Sequence, residues 1–136
     1  DTVAIQKALN AVSSGGVLYF PPGVYFCPYT RSDGNTLVLQ SQSGTPGVYP
    51  SSYTNNPITI VGDGATIKAD PVTGYNVILL NIAFAQNVTI SGIDFVGTRT
   101  PTDTDITYFG NHLLYLTYCN SVNVTNNSRL LTPKLH

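Results

Sequence analysis

Apolar residues recur at helical spacing only near the start of the chain. The residues that share one helical face are Ala4, Ile5, Ala8, Leu9 and Val12. Asp1 or Thr2 can cap the free backbone N–H groups of such a helix, and Gly15 and Gly16 end it. The pattern predicts a short amphipathic helix over about residues 2–13.

Beyond this helix, apolar and polar residues alternate in short runs separated by Gly, Pro, Asn and Ser, which is typical of half-buried strands. The predicted strands are 17–20, 24–27, 37–40, 58–61, 65–68, 77–82, 88–90, 93–96, 113–117 and 122–125. A sandwich and a stack of repeated coils both contain strands of this length. Internal repetition therefore decides between them.

The strand pattern repeats along the chain. Four apolar pairs share one offset of 34 positions: Leu80 and Leu114, Ile82 and Leu116, Val88 and Val122, Ile90 and Val124. Residues 58–62 correspond to residues 88–92 at an offset of 30, and residues 65–67 correspond to residues 93–95 at an offset of 28. Unequal offsets predict loops of different length between equivalent strands.

Strands too short to bury a face alone become stable when successive repeats stack around a shared interior. The repeat therefore predicts a β-solenoid with parallel strands. Its expected inward row is Ile60, Ile90 and Val124, and its expected outward row is Thr59, Thr89 and Asn123.

A stack of coils has an open edge at each end, and the amphipathic helix is expected to cover the first one. We expect a single domain, with coils over about residues 17–127 and an atypical tail over residues 128–136. Pro133 argues against a further ladder strand in the tail. Because the chain begins with Asp1 rather than Met, its natural N-terminus is expected to have been removed. Residues 129–136 supply no plug comparable to the helix, so the chain is interpreted as an N-terminal fragment in which coils are missing after about Asn127, or in which a partner covers the last coil.

Composition excludes several classes of function. Charged residues make up 10% of the chain, against roughly 25% in an ordinary soluble domain. The net charge is −1 and every acidic residue is Asp, so nucleic acid binding is not expected. No apolar run approaches the roughly 18–20 residues of a membrane span, so membrane insertion is not expected either. Cys27 and Cys119 are too few for a disulfide framework and too isolated for a metal site, so we expect free thiols, no metal and no cofactor.

Two segments resemble the entry motif of the pectate-lyase-like superfamily, which is D-T-x-A-I-Q-x-A-L followed by G-G-x-V-x-F-P-x-G-x-Y. They are residues 1–12, DTVAIQKALNAV, and residues 15–25, GGVLYFPPGVY. Residues 87–95, NVTISGIDF, and residues 120–126, NSVNVTN, are similar to the coil signature N-V-T-I-x-G/N of the same superfamily. The resemblance implies an all-β fold, a right-handed parallel β-helix behind a capping helix.

Members of this superfamily include polysaccharide lyases, polygalacturonase-like hydrolases and phage tailspikes. The resemblance thus implies an extracellular or secreted protein whose partner is polysaccharide and which cleaves it by hydrolysis or elimination. Two alternatives stay open. One is a glycan-binding adhesin or virion-surface tailspike without catalysis, for which a homotrimer is expected, and the other is a purely structural solenoid.

Glycoside hydrolysis needs two carboxyl groups, and a polysaccharide lyase needs a base. The catalytic candidates are Asp94 on a strand, Asp103 and Asp105 in the loop 97–111, and His112 just after it. An ordinary exposed strand residue and a solvated loop are the alternatives. The superfamily's catalytic pairs usually lie on later coils, and the chain has no Asp-Asp pair, Gly-His-Gly or Arg-x-Lys.

Tyrosine rings supply the candidate sugar contacts, because their faces can stack on a pyranose ring. The candidate substrate-binding residues are Tyr49, Tyr53, Arg99, Tyr108 and Tyr115. Tyr49 and Tyr53 lie in the polar loop 41–56, and Tyr115 is expected to face outward from its strand. Tyr19 has the same outward prediction, and Tyr25 is expected in the core.

Overall fold

The structure is a computed structural model that describes residues 1–69, 78–97, 112–125 and 130–131. The described elements are α1 (Thr2–Ala11), β1 (Gly16–Phe20), β2 (Gly23–Cys27), β3 (Asn35–Gln40), β4 (Ile58–Ala69), β5 (Ile78–Ala83), β6 (Gln86–Val96), β7 (His112–Thr117), β8 (Asn120–Thr125) and β9 (Leu130–Leu131). The fold is all-β, with parallel sheets and one short helix at the start.

Helix α1 forms where the sequence predicts it and buries Ile5 and Leu9. Its end at Ala11 comes slightly earlier than the expected boundary near residue 13. The Ser13 hydroxyl donates to the carbonyl of Asn10 at 2.8 Å, which replaces a hydrogen bond that a longer helix would make.

The expected capping of α1 by Asp1 or Thr2 is wrong, because both side chains bond to the strand region instead. Asp1 Oδ2 accepts a hydrogen bond from the Phe26 N–H at 3.0 Å, and Thr2 Oγ1 donates to the Pro28 carbonyl at 2.8 Å. The first turn of the helix is thereby tied to β2.

Gln6 closes the edge of β3 in the same way. Its Oε1 accepts from the Val38 N–H at 2.9 Å, and its Nε2 donates to the Val38 carbonyl at 2.7 Å. The carboxamide reproduces the pair of bonds that a neighbouring strand would make, so α1 satisfies an edge that would otherwise invite pairing with another chain.

Two parallel sheets organise the strands of the described part. The larger runs β1, β4, β6, β8, with β2 also paired to β4 and β9 to β6, and the smaller runs β3, β5, β7. Strands β4 and β6 each join two strands that the sequence predicts as separate, 58–61 with 65–68 and 88–90 with 93–96.

The offsets read from the sequence are the registers of three strand pairs: β4 with β6, β5 with β7 and β6 with β8. Leu80 pairs with Leu114 and Ile90 with Val124, which confirms the offset of 34. Along β4 and β6 the offset changes from 30 to 28 at a bulge between Val61 and Ala65. The bulge brings Gly92 so close to its neighbour that an added Cβ would lie 2.0 Å from the Gly62 carbonyl oxygen.

One core cluster receives side chains from α1 and from both sheets. Ile60 and Ile90 are buried and Thr59 and Thr89 are half-buried, as the inward and outward rows predict. Leu116 differs, since it is expected inward and is 48% exposed. It lies on β7, where β5 covers one side and no further described strand covers the other.

Two residues of the expected tail, Leu130 and Leu131, form β9 and pair with Phe95 and Val96. The tail thus contributes to the larger sheet at these two positions. Cys27 and Cys119 are free thiols. Among the described helices, none has the length and apolar character needed to cross a bilayer.

Candidate functional site

The connection between β3 and β4, residues 41–57, is held in one shape by the side chain of Gln42. Gln42 Oε1 accepts from the Thr54 N–H at 2.8 Å and from Thr54 Oγ1 at 3.2 Å. Its Nε2 donates to the Ser52 carbonyl at 3.2 Å. One amide therefore joins the two halves of a loop that is rich in Ser, Pro and Gly and has no sheet partner of its own.

The end of this loop is fixed to β6 by Asn55, which is buried. Asn55 Oδ1 accepts from the Gln86 N–H at 3.1 Å, and its Nδ2 donates to the Gln86 carbonyl at 2.8 Å. Gln86 Nε2 returns a bond to the Asn55 carbonyl at 3.1 Å. A buried amide with its bonding groups satisfied is a rigid attachment point.

The middle of the loop rests on an aromatic ring at the turn between β5 and β6. Gly44 lies so close to Phe84 that an added Cβ would be 2.0 Å from its Cε1. Phe84 is buried beneath it. A residue without a side chain is needed at position 44 because the loop backbone and the ring are in direct contact.

The equivalent turn one repeat later, between β7 and β8, carries Tyr118. Phe84 and Tyr118 both have positive φ, 50° and 53°, and their rings stack with centroids 5.0 Å apart and planes 21° apart. The Gly47 N–H donates to the Tyr118 hydroxyl. The Tyr53 hydroxyl donates to the Tyr118 carbonyl at 3.0 Å, so the loop is bound to two successive turns.

Tyr49 lies in the same loop, 41–57, and is 69% exposed. Its ring meets Tyr118 edge to face, with centroids 5.2 Å apart and planes at 75°, a favourable arrangement for aromatic pairs. We call Tyr49, Tyr53, Phe84 and Tyr118 the tyrosine cluster. It presents an exposed ring on a loop that several hydrogen bonds hold in place.

Two ionisable groups at the tyrosine cluster have a raised pKa, the Tyr53 phenol and the thiol of Cys119, which follows Tyr118 in the chain. Burial raises the pKa of the Tyr53 phenol, and the nearby Cys119 and Tyr49 raise it further. Burial also raises the pKa of the Cys119 thiol, whose Sγ lies 3.1 Å from the Ile82 carbonyl oxygen. Because the ordinary pKa of a phenol or a thiol already lies above 7 and both are raised further, the Tyr53 phenol and the Cys119 thiol are neutral hydrogen-bonding groups at neutral pH.

The structure brings two of the predicted binding residues together, Tyr49 and Tyr53. Tyr115 lies on β7 opposite Asn81 and is exposed, in agreement with its outward prediction. Arg99 and Tyr108 lie outside the described residues.

Of the catalytic candidates, only Asp94 is fully described. It is half-buried on β6, directly opposite Thr66 of β4, and belongs to a different element from the tyrosine cluster. The backbone of His112 pairs with Ile78 in the smaller sheet, and its side chain lies outside the description. Asp103 and Asp105 also lie outside the described residues.

Another described carboxylate is already engaged in a local ion pair. Arg31 and Asp33 meet at 2.6 Å on the surface, and the hydrogen bond from the guanidinium lowers the pKa of Asp33 to about 2. Within the described ranges, no group of three His, Cys, Asp or Glu side chains is arranged to hold a metal ion.

The sequence prediction missed Tyr118. The repeat places it in register with Phe84, and this was the available signal for an aromatic residue at a recurring turn. Its contact with Gly47 joins positions 71 residues apart. Strand periodicity cannot anticipate that contact, since it depends on how the 41–57 loop folds back.

Comparisons with known proteins identify no relative. No protein-family model, no curated protein and no solved structure matches the chain.

Proposed function

We propose that this chain is part of a right-handed parallel β-helix protein that acts on polysaccharide outside the cell, and that its tyrosine cluster binds glycan. The observation that carries the proposal is the exposed ring of Tyr49, which packs against Tyr118. The loop 41–57 that carries Tyr49 is held in place by the hydrogen bonds of Gln42 and Asn55. An aromatic platform that is ordered before binding loses little conformational entropy when a ligand arrives.

The β-helix assignment is supported by the parallel registers and by the single core that both sheets share. Strands of the smaller sheet alternate along the chain with strands of the larger one, as they do when each repeat makes a full coil. Crossovers between parallel strands of one sheet are right-handed in about 98% of cases, which supports the handedness.

Sugar binding suits this surface for a chemical reason. The face of a pyranose ring carries C–H groups, and the face of an aromatic ring is the negative part of its quadrupole. The loop that carries Tyr49 also has exposed hydroxyl and amide side chains that can bond to sugar hydroxyls. A few polar groups around an apolar contact are a common arrangement in ligand sites.

Binding rather than cleavage is what the described geometry supports. Hydrolysis of a glycosidic bond usually requires two carboxyl groups on either side of it, and the tyrosine cluster contains none. Polysaccharide cleavage stays a prediction that depends on the superfamily resemblance and on the candidates Asp94, Asp103, Asp105 and His112.

A panel of immobilised neutral and acidic oligosaccharides tests the proposal. The wild-type chain is expected to bind a subset of the panel, and Tyr49→Ala is expected to weaken that binding about tenfold. A pair of aromatic rings is worth about 0.5–1.5 kcal/mol beyond its buried area, and we expect a comparable contribution from a ring stacked on a sugar face. About 1.4 kcal/mol corresponds to tenfold in affinity.

Tyr19→Ala is the matched control, because Tyr19 is also an exposed tyrosine, 52% accessible, but lies on β1. It should bind as the wild type does. The proposal is wrong if the chain binds no glycan of the panel, or if the two substitutions weaken binding equally.

A further inference from the structure

The loop that carries Tyr49 has no charged residue. Residues 41–57 contain neither Asp, Glu, Lys, Arg nor His, and the uncharged stretch extends from residue 34 to residue 62. Even in a chain of which 10% is charged, this is a long uncharged run, and the loop contributes no charge of its own to the surface around Tyr49. Its exposed polar side chains are Ser43, Thr45, Ser51, Ser52, Thr54 and Asn56.

A glycan that contains uronic acid would need a cation at this surface. Carboxylates are recognised by Arg or Lys, and a carboxylate that loses water without such a partner is costly. Among the residues that the structure describes, the basic side chains are Lys7, Arg31 and Lys68. Lys7 lies on α1, Lys68 lies on β4, and Arg31 is bonded to Asp33.

Neutral sugars fit the same surface without such a requirement. Their hydroxyl groups both donate and accept hydrogen bonds, as do the Ser, Thr and Asn side chains of the loop. Tyr53 and Cys119 are uncharged at neutral pH, since the ordinary pKa of a phenol or a thiol lies above 7 and burial raises the pKa of each further. The contact at Tyr49 is an aromatic face, which gains nothing from a negative ligand.

We infer that the tyrosine cluster binds uncharged glycans, with a pyranose face stacked on Tyr49 and sugar hydroxyls bonded to the loop 41–57. The inference depends on the proposed glycan-binding function and narrows it to a class of ligand. A site for uncharged glycans differs from the active site of a polysaccharide lyase, which binds a uronate and removes a proton from it with a base.

Titration calorimetry at two salt concentrations tests the inference. Neutral hexose oligosaccharides and uronic acid oligosaccharides of equal length are titrated into the wild-type chain, Tyr49→Ala and Tyr19→Ala. The Debye length falls from about 10 Å at 0.1 M salt to about 3 Å at 1 M, so charge-dependent binding weakens strongly over this range.

The neutral series is expected to bind preferentially, with affinities that change less than about twofold between these salt concentrations. Tyr49→Ala should weaken the neutral series about tenfold while Tyr19→Ala leaves it unchanged. Preference for uronates with an affinity that falls as salt rises overturns the inference. If Tyr49→Ala still weakens that uronate binding, the proposed function survives, whereas failure of both series to bind removes the proposed function itself.

Discussion

At the scale of single residues, the shape of the site depends on contacts that leave no room for other side chains. Gly44 lies against the Phe84 ring, Gln42 joins the two halves of the loop, and the Tyr118 hydroxyl accepts from the Gly47 N–H. Each contact fixes a different part of the loop. The exposed position of Tyr49 follows from their combination.

Gly44→Ala tests this arrangement. The new Cβ would lie 2.0 Å from Phe84 Cε1, so the loop or the ring must move. We expect a loss of about 1–3 kcal/mol in the free energy of unfolding, the usual cost of overpacking. Urea unfolding measures it, and glycan affinity should fall in the same variant because Tyr49 is displaced.

Ser43→Ala is the control for this substitution, since Ser43 is the exposed neighbour of Gly44. Its effect should stay within about 0.5 kcal/mol, as for most surface changes. Equal stability of Gly44→Ala and the wild type would show that the loop does not rest on Phe84.

The residues of the site were predictable only in part. The sequence predicts Tyr49 and Tyr53 as candidates because a tyrosine ring in a polar loop can stack on the face of a sugar. Tyr118 and Gly44 were not, since the first lies at a turn with φ of 53° and the second matters only through its distance from Phe84. Contacts between distant segments are invisible to a local pattern.

At the scale of elements, alternation of apolar and polar residues was the most informative signal. It located the strands and their inward faces because a half-buried strand has a period of two residues. It did not show that β4 and β6 run through their bulges as continuous strands. The pairing of the Gln6 amide with Val38 was equally hidden, although the covering role of α1 was expected.

A pair of substitutions on β6 tests the inward and outward assignment. Ile90 is fully buried, so Ile90→Asp places an unpaired charge in the core and is expected to cost more than about 4 kcal/mol or to unfold the chain. Thr89→Asp places the same group on the outward side and should cost less than about 1 kcal/mol. Chemical denaturation followed by circular dichroism measures both variants, and similar losses would contradict the assignment.

At the scale of the whole molecule, repetition made the parallel pairing of the later strands predictable. Offsets of 34, 30 and 28 residues in the sequence are the registers of β4 with β6, β5 with β7 and β6 with β8, because repeats that pair in parallel align equivalent side chains. Loops are free of this requirement, so neither their shape nor the ligand they contact follows from the repeat. The repeat also does not predict burial at the last strand of a sheet. Leu116 is exposed on β7, which pairs with β5 on one side and with no further described strand on the other.

Amide chemical-shift mapping by NMR tests glycan binding at the tyrosine cluster most directly, with a glycan of the panel that binds titrated into the chain. We expect the perturbed amides to cluster in the loop 41–57 and around Tyr118, with little change at Asp94 on β6. Perturbations centred on the outward face around Asp94, with the loop unaffected, would contradict this expectation.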